Sequence, residues 1–334
     1  MATTAARLPR VVLGTMTFGL QTSAEEAARM TAYFVSHPVH ASSGQSVQRE
    51  LDTAHLYCMG ASERITGDLL RTHAEDSVVC ATKVNPWRDG DYMRAHPGGL
   101  SAPLIEAQFK ESLERLGRTR VQLLYLHAPD NGTPLVSTLA AVDAMHRRGL
   151  FDELGLSNYA AWQVAEAVEI CRRYQFITPT VYQGMYNAIT RQVEEELFPC
   201  LRHYGLRFYA YNPLAGGLLT GKHRPDQAIP TAGRFSNMHY RDRFFKSSFF
   251  ESMELITERC DQSGIKPAAA ALRWLRHHSA LSSEDGIIVG ASGQTHLVQN
   301  LDALDQGPLP ESLRTVFDEA WSHCRGECPR YWRA

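Results

Sequence analysis

The chain has 334 residues, with 34 Lys and Arg against 36 Asp and Glu, a formal charge of −2. So little net charge gives no field to attract nucleic acid or anionic lipid, and both partner classes are disfavoured. At 44% hydrophobic and 21% charged, the composition supports a large packed core and excludes a disordered chain. The opening MATTAARLPR has no apolar h-region and no long hydrophobic run behind it, so the reading is a cytoplasmic protein without secretion signal or membrane span. The seven cysteines are odd in number and scattered, which fits reduced thiols. Cys324, Cys328 and His323 lack a second ligand pair at zinc spacing, and no metal is expected.

Short apolar, β-branched runs alternate with amphipathic stretches along the whole chain, as expected of βα units. The predicted strands are RVVLG at 10–14, ELDT at 50–53, SVVCATK at 77–83, VQLLYLH at 121–127, ELGLS at 153–157, TVYQG at 180–184, LRFYAYN at 206–212 and GIIVGAS at 286–292. Helical spacing fills the gaps: Ala27, Met30 and Phe34 in the first, Ile105, Phe109, Leu113 and Leu116 in the third, Trp162, Val164, Val168 and Cys171 in the fifth. This pattern predicts a closed (β/α)8 TIM barrel, a single domain over residues 1–334 with a long loop after strand seven. An open doubly wound sheet would announce a dinucleotide site with GxGxxG after the first strand, and Gly14-Thr15-Met16-Thr17-Phe18-Gly19 lacks that spacing. Residues 36–49 form a connection on the amino-terminal face and receive no function. Residues 213–247 lie on the opposite face, where a long loop reads as a lid.

The carboxyl ends of barrel strands assemble the active site, so the residues placed there carry the functional argument. Strand two ends at Asp52, with Tyr57 five residues on; strand three ends at Lys83, strand four at His127, strand five at Ser157 and Asn158. Strand six ends at Gln183, strand seven at Tyr211 and Asn212, strand eight at Ser292. Ions near a barrel axis must pair, and Asp52 can pair with Lys83. A phenol beside that ammonium is expected to titrate below its ordinary value of about 10 and to serve as a general acid. Taken singly, Tyr57 reads as a packing residue, Lys83 as a solvated strand end and Ser157-Asn158 as a helix cap. Their joint placement favours catalysis.

D-T-A-H-L-Y at 52–57, A-T-K at 81–83, Y-L-H at 125–127, G-L-S-N at 155–158 and Q-G-M-Y-N at 183–187 together resemble the aldo-keto reductase superfamily. K-V-N-P-W at 83–87, Y-L-H-A-P-D-N-G-T-P at 125–134, Y-N-P-L-A-G-G-L-L-T-G-K at 211–222 and the terminal C-P-R-Y-W-R resemble its aflatoxin-aldehyde and succinic-semialdehyde reductase branch. The resemblance implies NADPH bound across the carboxyl-terminal face and reduction of aldehydes or ketones, with detoxification as the setting. It makes Tyr57 the proton donor, Lys83 its cation, Asp52 the counter-ion and His127 the group that orients the carbonyl. It assigns the nicotinamide to Ser157, Asn158, Gln183, Tyr211 and Asn212, and the pyrophosphate to Leu214, Gly216, Gly217, Lys222 and Arg234. Ser292, His296, Gln299 and Asn300 fall to the adenosine phosphate. The branch usually carries glutamine where His296 stands, and Gly293, Gln294 and Thr295 depart from its pattern. No acidic residue lies between 290 and 300, which favours a 2′-phosphate over a bare ribose.

For substrate, Met16, Trp87, Tyr186 and Phe235 are expected to line an apolar pocket, with Arg241 and Arg333 gripping a carboxylate as the branch's arginines do. The implied substrates are short carboxylated or dicarbonyl aldehydes, and the implied assembly is a homodimer. Two other readings stand beside the reductase: a cofactor-sensing regulatory subunit with little turnover, and a TIM-barrel hydrolase or lyase with Lys83 as Schiff-base nucleophile.

Overall fold

The computed structural model describes residues 8–37, 49–73, 77–87, 96 and 98–333. Most of the 36–49 connection (residues 38–48), and the first seven residues of the amino-terminal segment, lie outside the described residues. Eight strands, β1 (Arg10–Gly14), β2 (Arg49–Asp52), β3 (Val78–Val84), β4 (Val121–Leu126), β5 (Phe151–Ser157), β6 (Pro179–Met185), β7 (Arg207–Tyr211) and β8 (Gly286–Val289), close a barrel in sequence order. Every pair is parallel, including the closing pair of β8 and β1. The predicted (β/α)8 architecture is therefore the observed one, with strand ends displaced by three residues at most.

Helices α1 (Ala24–Ser36), α2 (Ala61–Leu70), α3 (Ala102–Leu116), α4 (Leu135–Arg147), α5 (Ala161–Tyr174) and α6 (Leu197–Tyr204) follow the first six strands. Then come α7 (Met238–Phe244), α8 (Ser247–Ser263), α9 (Pro267–His277), α10 (Gln294–Asp305) and α11 (Glu311–Cys324). In α1, Ala27, Met30 and Phe34 are buried as their spacing requires. Trp162 breaks the expectation for α5: it is 63% exposed, whereas Ala161, Val164, Val168 and Cys171 are buried. Two residues from Val164 is about 200° around the helix, so Trp162 points away from the core.

Val12, Ala81, Leu123, Tyr125, Val181, Tyr209 and Ile288 fill the barrel interior. Gly155 makes room for one of these rings, since a Cβ there would stand 2.3 Å from the Tyr125 ring. The loop after β7 has structure of its own: helical turns at Ala215–Thr220 and Arg234–Ser236 lead into α7. Phe235 is buried among His223, Phe244 and Phe245, so the loop carries a small aromatic core. Arg234 Nη1 reaches the Met16 sulfur at 3.2 Å, tying this loop to the one after β1.

Candidate active site

Lys83 is completely buried near the end of β3, which rules out a solvated strand end. Its Nζ donates to Asp52 Oδ1 at 2.5 Å, to the Thr53 carbonyl at 2.7 Å and to Tyr57 Oη at 3.4 Å. Three partners for three donors satisfy the ammonium in a place where an unpaired one would cost several kcal/mol. Asp52 Oδ2 accepts from Gln183 Nε2 at 2.8 Å, so the carboxylate is held from both sides. Tyr57 comes from the turn after β2, where Cys58 and Met59 adopt left-handed φ values of 51° and 52° before α2. Such backbone is uncommon outside glycine, and here it delivers the phenol to the lysine.

The expected direction of the Tyr57 shift is corrected by the structure. Burial raises the phenol above its ordinary value; Lys83 pulls it down by less than burial raises it, and the Asp52 charge adds to the rise. A lysine paired at 2.5 Å presents the field of a dipole, not of a lone cation. Burial also disfavours the ammonium of Lys83, but Asp52 and Tyr57 outweigh it and its value is raised. Both groups therefore hold their protons at neutral pH.

His127 follows β4 directly, its N–H donating to the Val84 carbonyl at 2.8 Å. Burial, with Lys83 and Arg333 adding to it, holds the imidazole well below its ordinary range, so the ring is neutral. Its ring stands edge-on to Tyr57, centroids 5.8 Å apart, and to Trp87 at 5.0 Å. His127 Nδ1 and Asn212 Nδ2 are buried without a hydrogen-bond partner. Orphaned polar atoms cost about 1–3 kcal/mol each. Both lie at strand carboxyl ends, where a ligand bearing carbonyl and amide groups would satisfy them.

The remaining predicted residues divide by location. Asn158, in left-handed backbone at φ 61°, donates to the His127 carbonyl at 2.9 Å and to Ser157 Oγ at 3.0 Å, and accepts from Tyr211 Oη at 2.8 Å. Ser157 and Asn158 do not cap α5, whose N-cap is Ala160. Gly216 and Gly217 have φ of 69° and 111°, conformations that suit glycine, in the turn after Leu214; Lys222 is exposed beyond it. Ser292 Oγ lies 3.1 Å from His296 Nδ1, and Asn300 is buried. Gln299 lines a cavity of about 540 Å³ at the start of α10 with Gln294, Thr295, Val298 and Glu26. Residues 290–300 carry no carboxylate of their own, but α1 brings that of Glu26 to this place.

The substrate assignments change most. Trp87 is buried between His127 and the Arg333 guanidinium, which lies 4.8 Å over its ring, and Met16 is exposed at the mouth. Tyr186 belongs to the outer layer instead, bonded to Glu194 at 2.5 Å and packed on Phe198, Phe208 and Trp274. Phe235 sits in the loop's own core. Arg241 donates to the carbonyls of Phe235 and Ser236 at 2.7 and 2.9 Å, so it holds the loop together. Arg243, two residues on, lines a cavity of about 260 Å³ with Arg333, Arg330, Asn158 and Tyr211.

A buried ammonium–carboxylate pair beneath a protonated phenol and a neutral imidazole, at the carboxyl mouth of a (β/α)8 barrel, has the parts of a carbonyl oxidoreductase. The chain belongs to the aldo/keto reductase family, whose model matches residues 10–321. Aflatoxin B1 aldehyde reductase member 2 of Rattus norvegicus is 46% identical, covering 97% of this chain and 88% of its own length. Aflatoxin B1 aldehyde reductase member 4 of Homo sapiens is 44% identical over 97% of both chains. Aldo-keto reductase family 7 member A3 of Homo sapiens is 43% identical with the same coverage. The protein is thus an oxidoreductase acting on aldehyde or ketone groups. No helix among the described residues is long and apolar enough to cross a membrane.

Proposed function

We propose that this protein reduces short aldehydes and ketones to alcohols with NADPH, with Tyr57 as the acid. The observation that carries the reading is the contact of Tyr57 with the buried, Asp52-paired Lys83 beside neutral His127. When bound, the nicotinamide supplies a hydride to the carbonyl carbon. Tyr57, raised above the ordinary phenol range and so fully protonated at neutral pH, gives its proton to the carbonyl oxygen as negative charge gathers there. The phenolate left behind faces Lys83, which offsets its charge. His127, uncharged, orients the carbonyl by hydrogen bonding without competing as an acid.

Ser157, Asn158, Gln183 and Asn212 are the residues we assign to the carboxamide, with Tyr211 as the flat surface against the ring. Because Gln183 is already spent on Asp52 and the Asn158 amide on Tyr211 and His127, the orphaned Asn212 Nδ2 is the donor most in need of this partner. Backbone amides around Leu214 and Gly216, with Lys222 and Arg234, suit the pyrophosphate; Ser292, His296, Gln299 and Asn300 suit the adenosine end. Arg243 takes the place expected of Arg241, beside Arg333, as the grip on a carboxylated aldehyde. A reducing, cytoplasmic setting accords with seven free thiols. The test is loss of NADPH absorbance with 4-nitrobenzaldehyde and with a short semialdehyde. Turnover of either is expected. Tight dinucleotide binding with no turnover across an aldehyde panel would overturn the reductase in favour of a cofactor-sensing subunit.

A further inference from the structure

At the start of α10, Glu26 of α1 makes a set of contacts that neither catalysis nor barrel packing requires. Its Oε1 accepts from the Gln294 N–H at 2.6 Å, and its Oε2 accepts from Arg29 Nε at 3.0 Å and Nη2 at 2.5 Å. Both oxygens are engaged, so the carboxylate is fixed in direction. It also lies against Gly293, where even a Cβ would come within 3.1 Å of Oε1. The hydrogen bond from Gln294 and the Arg29 guanidinium hold it below the ordinary carboxyl range, so it is charged at neutral pH. The cavity it lines contains Gln294, Thr295, Val298 and Gln299, next to the Ser292–His296 pair.

Gln299, Ser292 and His296 are among the residues assigned above to the adenosine end of the dinucleotide, and the present inference rests on that reading. A ribose 2′-phosphate needs free amides and positive charge. A carboxylate already bonded to the first amide of the helix takes away one donor, and its charge, offset in part by Arg29, disfavours the phosphate. The same carboxylate is a good acceptor for bare ribose hydroxyls. We propose that Glu26 is a cofactor-selecting residue of this chain, weakening its hold on NADPH relative to NADH and so narrowing the preference between them. His296 and the remaining amides of α10 still offer donors to a phosphate, which is why the effect is on the ratio.

The experiment measures dissociation constants of the full chain for NADPH and NADH by quenching of tryptophan fluorescence, with 2′,5′-ADP and 5′-AMP as competitors that lack the nicotinamide. Glu26→Gln keeps size and an acceptor but removes the charge, and is expected to raise the NADPH-over-NADH affinity ratio about tenfold. The 2′,5′-ADP over 5′-AMP ratio should rise with it. Glu26→Ala should move both ratios the same way. Glu25→Gln, which also pairs with Arg29 at 2.6 Å, should leave the ratios within about twofold, because a surface charge of this kind acts weakly at a distance. Unchanged ratios in Glu26→Gln, or an equal shift in Glu25→Gln, would overturn the proposal while leaving the dinucleotide reading intact. Failure of the unaltered protein to bind either dinucleotide would remove that reading and the proposal together.

Discussion

The two ends of the cleft solve the problem of holding charge in opposite ways. At the barrel mouth, Lys83 and Asp52 are buried, bonded to each other and braced by Thr53, just past β2, and by Gln183 of β6. At α10, Glu26 and Arg29 sit in partly exposed positions, joined to a helix start by a single backbone amide. The first arrangement resists change because any lost partner strands an ion in low dielectric. The second is open to solvent, so one substitution can retune its charge without unfolding the chain. The chemistry we propose lies in the buried region, and the cofactor choice we propose lies in the exposed one.

The largest effect that would sharpen this contrast is expected from Lys83→Met. It leaves Asp52 buried without its cation and should cost about 3–5 kcal/mol in urea unfolding, with loss of turnover. Adding Asp52→Leu should recover much of the stability but none of the activity. A single variant as stable as the parent would show that the pair is not the constraint we describe.

Next in size is Glu50, on the same interior face of β2 as Asp52, one pleat deeper. Burial pushes its carboxyl up to about 7 from 4.5, Arg10 and a hydrogen bond from Tyr209 pulling the other way. Because the folded value is the higher one, the proton-linked stabilisation is complete below the unfolded value and is lost as pH rises toward 7. A shift of that size corresponds to about 3 kcal/mol. Unfolding free energies should therefore fall between about pH 4.5 and pH 7 and level off above, and Glu50→Gln should flatten that slope. A slope identical in the two proteins would place the titration elsewhere.

A smaller effect separates the two arginines. Arg243→Ala should raise KM for succinic semialdehyde about tenfold more than for an uncharged aldehyde, the size of a lost charged hydrogen bond. Arg241→Ala should change both substrates alike, since that side chain holds Phe235 and Ser236. The reverse pattern would restore Arg241 to the site.

What could be read in the sequence follows the same division. Strand ends announce themselves: an apolar run stopping at Asp52, Lys83 or His127 fixes both the element and the direction of its last side chain. The architecture, and the convergence of Asp52, Lys83 and His127 at the barrel mouth, were legible for that reason, while Tyr57 lies in the turn after β2 and was placed by the resemblance. Glu26 was not legible, because it meets Gln294 across 268 residues of chain and helix-surface glutamates are common. Arg241 and Arg243 sit within one short helix, and only the turn at Phe235 decides which guanidinium is free of it. The sign of the Tyr57 shift needed the Lys83–Asp52 distance, which no pattern of residues contains.

The central claim is that a proton held by Tyr57 is what the reduction consumes. Tyr57→Phe, assayed for turnover and for dinucleotide quenching on the same preparation, tests it directly. The account predicts a loss of about 10²–10⁴ in kcat, the range for a positioned acid, with the dissociation constant for NADPH nearly unchanged. Turnover within a few-fold of the parent, or loss of binding and turnover together, would contradict it.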